Sequence, residues 1–463
     1  MATGVRLQET EVAAAVGWPL GQPEHACIMV SMSFEFDESG RSYYVPSAFY
    51  IGAAEGVLDD SSGSPIPGAW HRLMHEYGHL IQDRTSIFGA IEFMHFYDSV
   101  QSVLHLLQAQ GPTVQLPMST GPGAGDSWLA SIHALRAATN PRPQWKNGVW
   151  WAYEDYHIKQ VPVSYNRAEY RIPVTVAYFV DNTNGETCEH EIGPREIKEA
   201  YSVAIEMLHG GPPVDAATTF EYLAVERILA RAGEVAPRQV IAVCHWALQT
   251  PVPGVRFFQI TSMLEKRGAL PAADALYDLL RIDAKRTGVA DLIAQIGEQL
   301  NEIVRVQSGS GVKDHLFQVL RWYRDQVAIA LPRNLQPGRR FPLDTYICAS
   351  GHELDDEAFT AMTTEEPIPV IETPTGAAFA FGGNSVDSES VLFIRSLGDL
   401  VGRIWFERAA AWPCVLERTC ALPCRDTGCS TRPFEKGSAR PPCPYGAASA
   451  YLGIPHLRVL PVP

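Results

Sequence analysis

The chain has 463 residues, 46% of them hydrophobic and 19% charged, a balance that excludes an intrinsically disordered protein. That length can bury a large core and suits two domains, or one domain with a large extension. The formal net charge of −15 argues against a nucleic-acid partner, because phosphate binding needs a basic face.

The first twenty residues lack a cationic segment followed by a long apolar run. No stretch approaches the roughly 18 uncharged apolar residues of a membrane span. The expected location is therefore cytoplasmic, with no membrane partner. Ala26 to Phe36 alternates apolar and polar residues and predicts a half-buried strand. Asp37-Glu38-Ser39-Gly40 is turn chemistry, and Ser42 to Tyr50 reads as one returning strand with Pro46 near an edge. A loop rich in Ser, Gly and Pro, Asp59 to Gly68, leads into a helix beginning near Trp70.

That helix carries His75-Glu76-Tyr77-Gly78-His79, an HExxH pentapeptide. Positions i and i+4 lie on one helix face, so His75 and His79 can offer two imidazole nitrogens to one metal ion. Glu76 stands beside them as a general base for a metal-activated water. Leu73, Met74, Tyr77, Leu80 and Ile81 mark the helix as buried. Gly78 costs such a helix about 1 kcal/mol relative to Ala, which suits a place where another backbone or a substrate comes close. The plainer reading is a helix with two half-buried histidines and a solvated Glu. A second His-Glu, His352-Glu353, lacks the second histidine and reads as a surface turn.

After a break at Thr85-Ser86 a second helix runs from Ile87 to about Gln110. A Pro/Gly-rich loop, Gly111 to Gly125, and a helix from Trp128 to Ala138 follow. Trp145, Trp150, Trp151, Tyr153, Tyr156, Tyr165 and Tyr170 crowd together, as a core seam or as the wall of a substrate groove. Pro173 to Val180 is a strand, Asp181 to Gly185 a turn, and Glu186 to Ile192 the return strand. Gly193-Pro194 opens a helix with Pro in its first turn. Helices are predicted over Arg195–His209, Ala216–Arg231, Pro237–Leu248, Gly254–Arg267, Pro271–Thr287, Ala290–Val306 and Lys313–Ala330. Leu335 to Arg340 reads as a linker, dividing 1–335 from a mixed 336–463 region that is poorly structured around Thr363 to Gly383.

HExxH on a helix resembles the mark of the zincin metallopeptidases. The continuation His79-Leu80-Ile81-Gln82-Asp83-Arg84-Thr85-Ser86-Ile87-Phe88-Gly89 is similar to a set of largely uncharacterised bacterial proteins. The resemblance implies an α+β fold: a zincin-like core with a small antiparallel sheet and active-site helices, a largely helical middle and a Cys-rich C-terminal extension. It also implies one catalytic Zn2+. A catalytic zinc keeps three protein ligands and an open position, so a third ligand is required. In gluzincins that ligand is a Glu on a later helix, which on this chain matches Glu199. Ala200, Ser202 and Ala204 would let that helix approach closely. Glu92 is the alternative, either as third ligand or as a hydrogen-bond acceptor for a ligand histidine, with His95 and Asp98 on the same helix. A third source of the ligand is Glu221 or Glu226 on the next helix, though each reads more readily as a solvated or salt-bridged Glu. Tyr201, Tyr222 and His190 are candidate donors to an oxyanion.

Four of the nine cysteines are scattered, at Cys27, Cys188, Cys244 and Cys348. The other five, Cys414, Cys420, Cys424, Cys429 and Cys443, fall within thirty positions (443 − 414 + 1 = 30). A second, structural metal or cluster there, disulfides, and free thiols all remain open. The leading expectation is a zinc-dependent peptidase acting on a peptide or protein. The alternatives are a non-enzymatic interaction protein that binds a partner through its helical region or tail, and a hydrolase of a non-peptide amide or ester. Glu76 separates the first from the second, because a binding scaffold has no chemical need for it.

Overall fold

The computed structural model describes residues 42–64, 66, 68–110, 113–116, 151–165, 168–211, 220–308, 315–338, 356–375, 378–382, 386–406, 414–416, 429, 443–454 and 458–461. The expected strand at Ala26–Phe36 with its turn, the helix at Trp128–Ala138, Trp145 and Trp150, His352-Glu353, and Cys27, Cys348, Cys420 and Cys424 lie outside those residues. Most of the Gly111–Gly125 loop does too.

The first described elements are a hairpin, β1 (Tyr43–Val45) and β2 (Tyr50–Gly52). The single strand expected over Ser42–Tyr50 is therefore two strands and a turn. Ser47 (φ 62°) and Phe49 (φ 54°) take left-handed backbone there, and an uninterrupted strand cannot contain such residues. Phe49 accepts that conformation because its ring is fully buried against Phe93, Trp322 and Tyr323.

Helix α1 (Trp70–Thr85) and helix α2 (Ile87–Gln110) follow. The break between them is fixed by hydroxyls. Ser86 Oγ donates to the Gln82 carbonyl at 2.6 Å and accepts the Gly89 N–H at 2.9 Å, closing one helix and opening the next. Gly89 has no room for a side chain: a Cβ would fall 2.5 Å from the Asp83 Cα. From the far side, Asn334 and Gln249 both donate to the Thr85 carbonyl, at 2.7 and 3.1 Å.

Strand β3 (Thr113–Leu116) pairs with β9 (Arg458–Pro461). Strands β4 (Trp151–Tyr165), β5 (Ala168–Asp181) and β6 (Thr187–Ile192) form an antiparallel sheet whose β5–β6 hairpin is the expected one. The aromatic-rich stretch is thus largely β4. Its described members behave as a core seam: Trp151 is buried, and Tyr156 stacks on Phe258 with ring centroids 4.2 Å apart.

The middle is helical, as expected. It comprises α3 (Pro194–Leu208), α4 (Phe220–Leu229), α5 (Pro237–Ala247), α6 (Pro253–Glu265), α7 (Ala273–Arg286), α8 (Val289–Gln307) and α9 (His315–Asn334). Pro194, Pro237 and Pro253 each open a helix, where the missing N–H leaves no bond unmade. At α3 the Glu196 carboxylate also accepts the Gly193 N–H at 2.9 Å.

The stretch around Thr363–Gly383, expected to be poorly structured, forms α10 (Asp356–Glu365), β7 (Ile368–Glu372) and β8 (Ala378–Phe381). Strand β7 is buried along its whole length and pairs in parallel with β2, giving a mixed sheet in the order β1-β2-β7-β8. Helices α11 (Ser388–Phe406) and α12 (Pro444–Tyr451) complete the described chain, and α11 packs on α2 and α9. The division drawn at 335/336 therefore does not separate two cores. The sheet crosses it, as does a buried ion pair network in which Arg395 bonds Glu372 and Tyr43, each at 3.0 Å. The architecture is helices with small separate sheets, in keeping with an α+β fold. Among the described residues no helix is long and apolar enough to cross a membrane.

Candidate metal centre

Helix α1 buries Leu73, Met74, Tyr77, Leu80 and Ile81 in the core. Its polar stripe is His75, His79 and Asp83, spaced i, i+4, i+8 and so aligned on one face. Helix α3 packs on this side and runs the opposite way, since His75 meets Glu206 while Asp83 meets Lys198. The two helices touch closely at Gly78, where a Cβ would fall 2.9 Å from Ser202 Oγ and 3.3 Å from Ile205 Cδ1. Gly78 and Ser202 are the small residues that permit this approach. Gln82 crosses the seam and donates to the Lys198 carbonyl at 2.9 Å and to Ser202 Oγ at 3.3 Å.

That approach delivers Glu199 to both histidines. Its Oε2 lies 3.5 Å from His75 Nε2 and 3.5 Å from His79 Nε2. The three ligand atoms lie within 4.8 Å of one another. Two donors bound tetrahedrally to a small divalent cation stand about 3.3 Å apart, so both His–Glu separations have the span of a shared centre. Behind His75, Nδ1 meets Glu206 Oε2 at 3.1 Å, leaving Nε2 to face Glu199. A carboxylate there selects the tautomer that keeps the outer nitrogen as a ligand. The ring of Tyr222 stands nearly perpendicular to that of His75 at 6.3 Å, and Tyr44 stacks on His79 at 6.4 Å.

Three carboxyl groups, Glu76, Glu199 and Glu206, gather around two imidazoles, and the group calls for positive charge. Burial lowers the His75 pKa, but hydrogen bonds to Glu199 and Glu206 outweigh it and the net shift is well upward. Burial raises Glu199, yet the His79 and His75 imidazoles win and hold its carboxyl far below the usual range. Glu76 is 8% exposed; its desolvation exceeds the pull of His75 and His79 and moves its pKa up. In donor type, spacing and charge, the residues fit a divalent cation.

The other expected residues stand elsewhere. Glu92 pairs with Lys198, which also holds Asp83 at 2.6 Å. Burial pushes the Glu92 carboxyl up to about 7 against the pull of that ammonium. His95 is buried on α2 and Asp98 half-buried. His190 lies 3.6 Å from Glu196, and Tyr201 is fully buried. Glu226 lies on α4 outside the metal-binding group, and the Glu221 side chain is not among those described. Cys414, Cys429 and Cys443 are buried, and the Cys414 N–H donates to the Cys429 carbonyl at 2.7 Å. Among the described residues His75, His79 and Glu199 are the group with metal-binding geometry, and the cysteines are not part of one.

Glu206 and Lys198 escaped the sequence reading. For Glu206 a signal existed: it follows Glu199 by seven residues (206 − 199 = 7), two helical turns, and so shares its face. No protein-family model, curated protein or solved structure matches the chain.

Proposed function

We propose that the chain is a metal-dependent hydrolase of the zincin type that cleaves peptide bonds, with Zn2+ held by His75, His79 and Glu199. The observation that carries this reading is the convergence of one carboxylate oxygen on two imidazole nitrogens, each 3.5 Å away. Two nitrogens and one oxygen suit zinc in a catalytic site, where a fourth position is left for water.

A zinc ion bound there would supply a Lewis acid that brings the pKa of its water towards about 7. Glu76 sits in the pentapeptide between the two histidines and carries a carboxyl whose proton affinity is raised by burial. It accepts the proton of the attacking water as the new C–O bond forms, then delivers it to the amine as the C–N bond breaks. Glu206 holds the His75 ring in place through Nδ1. Tyr222, whose ring stands beside His75, would be the donor to the developing oxyanion; His190 lies by Glu196 and Tyr201 lies in the core. The substrate is a peptide or protein.

Elemental analysis of purified wild type beside His75→Ala and Glu199→Ala tests the centre. One zinc per chain in the parent and loss in both variants supports it; an equal metal content in all three rejects it. Cleavage of a mixed peptide library, read by mass spectrometry, tests the activity.

A further inference from the structure

Beneath the metal-binding group lies a second polar layer with no place in the chemistry above. Lys198 is 12% exposed in its side chain, and its ammonium bonds Asp83 of α1 at 2.6 Å and Glu92 of α2. The same ammonium lies 5.5 Å from the centre of the Phe88 ring. The Lys198 backbone carbonyl accepts Gln82 of α1 at 2.9 Å. One residue of α3 is thereby tied, through its backbone and its side chain, to α1, which carries the pentapeptide, and to α2, which follows it.

Two features make this layer more than a tether. Asp83 continues the His75–His79 stripe by one further turn, so the anchor and the histidines share one helix face. Lys198 also directly precedes Glu199 in the chain. Any rotation or slide of α3 at Lys198 is passed to the Glu199 carboxylate, whose distances to His75 and His79 are equal at 3.5 Å.

We propose that Lys198, through its joint pairing with Asp83 and Glu92, is a positioning residue that sets where Glu199 meets the two histidines. The inference rests on the metal-site reading. Lys198 would act through helix placement, since the partners of its ammonium are Asp83, Glu92 and the Phe88 ring.

The test compares parent, Lys198→Arg, Lys198→Met and the triple variant Asp83→Asn/Glu92→Gln/Lys198→Met. The triple variant removes every charge of the layer together and leaves no buried ion unpaired. The readouts are zinc affinity by chelator competition and the visible d–d spectrum of the Co2+-loaded protein, which reports coordination geometry. Lys198→Met and the triple variant are expected to bind zinc about 10- to 100-fold more weakly. Their Co2+ spectra should move towards that of Glu199→Ala, while Lys198→Arg stays close to the parent. If Lys198→Met fails to fold, the triple variant decides. Parental affinity and an unchanged Co2+ spectrum in the folded variants overturn the positioning role while leaving the metal site standing. A parent that binds neither zinc nor Co2+ overturns both.

Discussion

The Nδ1 atom of His75 lies 3.1 Å from Oε2 of Glu206, two helical turns from the carboxylate that meets its Nε2. The His75 ring is thus held between two acids from one face of α3. Glu206→Gln preserves shape and removes charge. It is expected to weaken metal binding about 10- to 100-fold with little change in the fold. Chelator competition measures this; parental affinity would reduce Glu206 to a neighbour of no consequence.

Glu76→Gln separates binding from chemistry. Glu76 belongs to neither His–Glu pair, so the variant should retain one metal per chain. Hydrolysis should fall about 10^2- to 10^4-fold, the range for loss of a positioned general base. Equal rates for variant and parent would remove Glu76 from the mechanism.

Metal should also stabilise the fold, since His75 and His79 stand on α1 and Glu199 on α3. With zinc at about 100 times its Kd, binding to the folded state alone adds about 2.7 kcal/mol. Thermal unfolding with zinc and with excess chelator should show that gap in the parent. In Glu199→Ala most of the gap should close.

Gly89→Ala is expected to destabilise by about 1–3 kcal/mol, although Ala ordinarily favours a helix. The added Cβ would sit 2.5 Å from the Asp83 Cα and from its carbonyl oxygen, and neither is free to swing away. Chemical denaturation with an unchanged m-value would isolate the effect. A variant as stable as the parent would mean that the α1–α2 junction relaxes easily.

Acid should weaken the fold through buried histidines. Burial pushes His95 down to about 4; it also takes His245 down to about 3, opposed in part by a hydrogen bond with Asn334. In the unfolded chain each titrates near about 6.5. Above that value the folded and unfolded states bind equal protons and these groups give no slope. As pH falls from about 6.5 towards about 4, the unfolded state takes up protons that the folded state refuses, and stability declines by up to several kcal/mol. His245→Gln should flatten the fall in Tm across that window. An identical pH profile in the variant would assign the acid loss to other groups.

Local signals were legible and distant ones were not. The pentapeptide helix, the β5–β6 hairpin and the helical middle announce themselves through periodicity, proline at first turns and turn residues, all short-range properties. Glu199 could be proposed from the resemblance to gluzincins, supported by Ala200, Ser202 and Ala204 as the marks of a close helix contact, to which Gly78 supplies the matching gap. Glu206 and Lys198 drew no expectation from the sequence, because a helix sequence does not say which charged face is covered. Strand β7 was missed since its register is set by β2, across the whole helical middle. Glu92 was placed on the correct helix, but α2 turns it towards Lys198.

The pairing of β2 with β7 bears on how the protein is made. Tyr50 donates to Glu372, a residue 322 positions further along the chain. A ribosome emitting the histidine helix early must synthesise most of the remaining chain before the neighbouring strand gains its partner. Contacts of such long range form late and slowly. Until then the nascent chain carries an open strand edge with apolar neighbours, a species inclined to aggregate. A shortened gene product ending before β7 should therefore accumulate as insoluble material even though it contains every residue assigned to the metal.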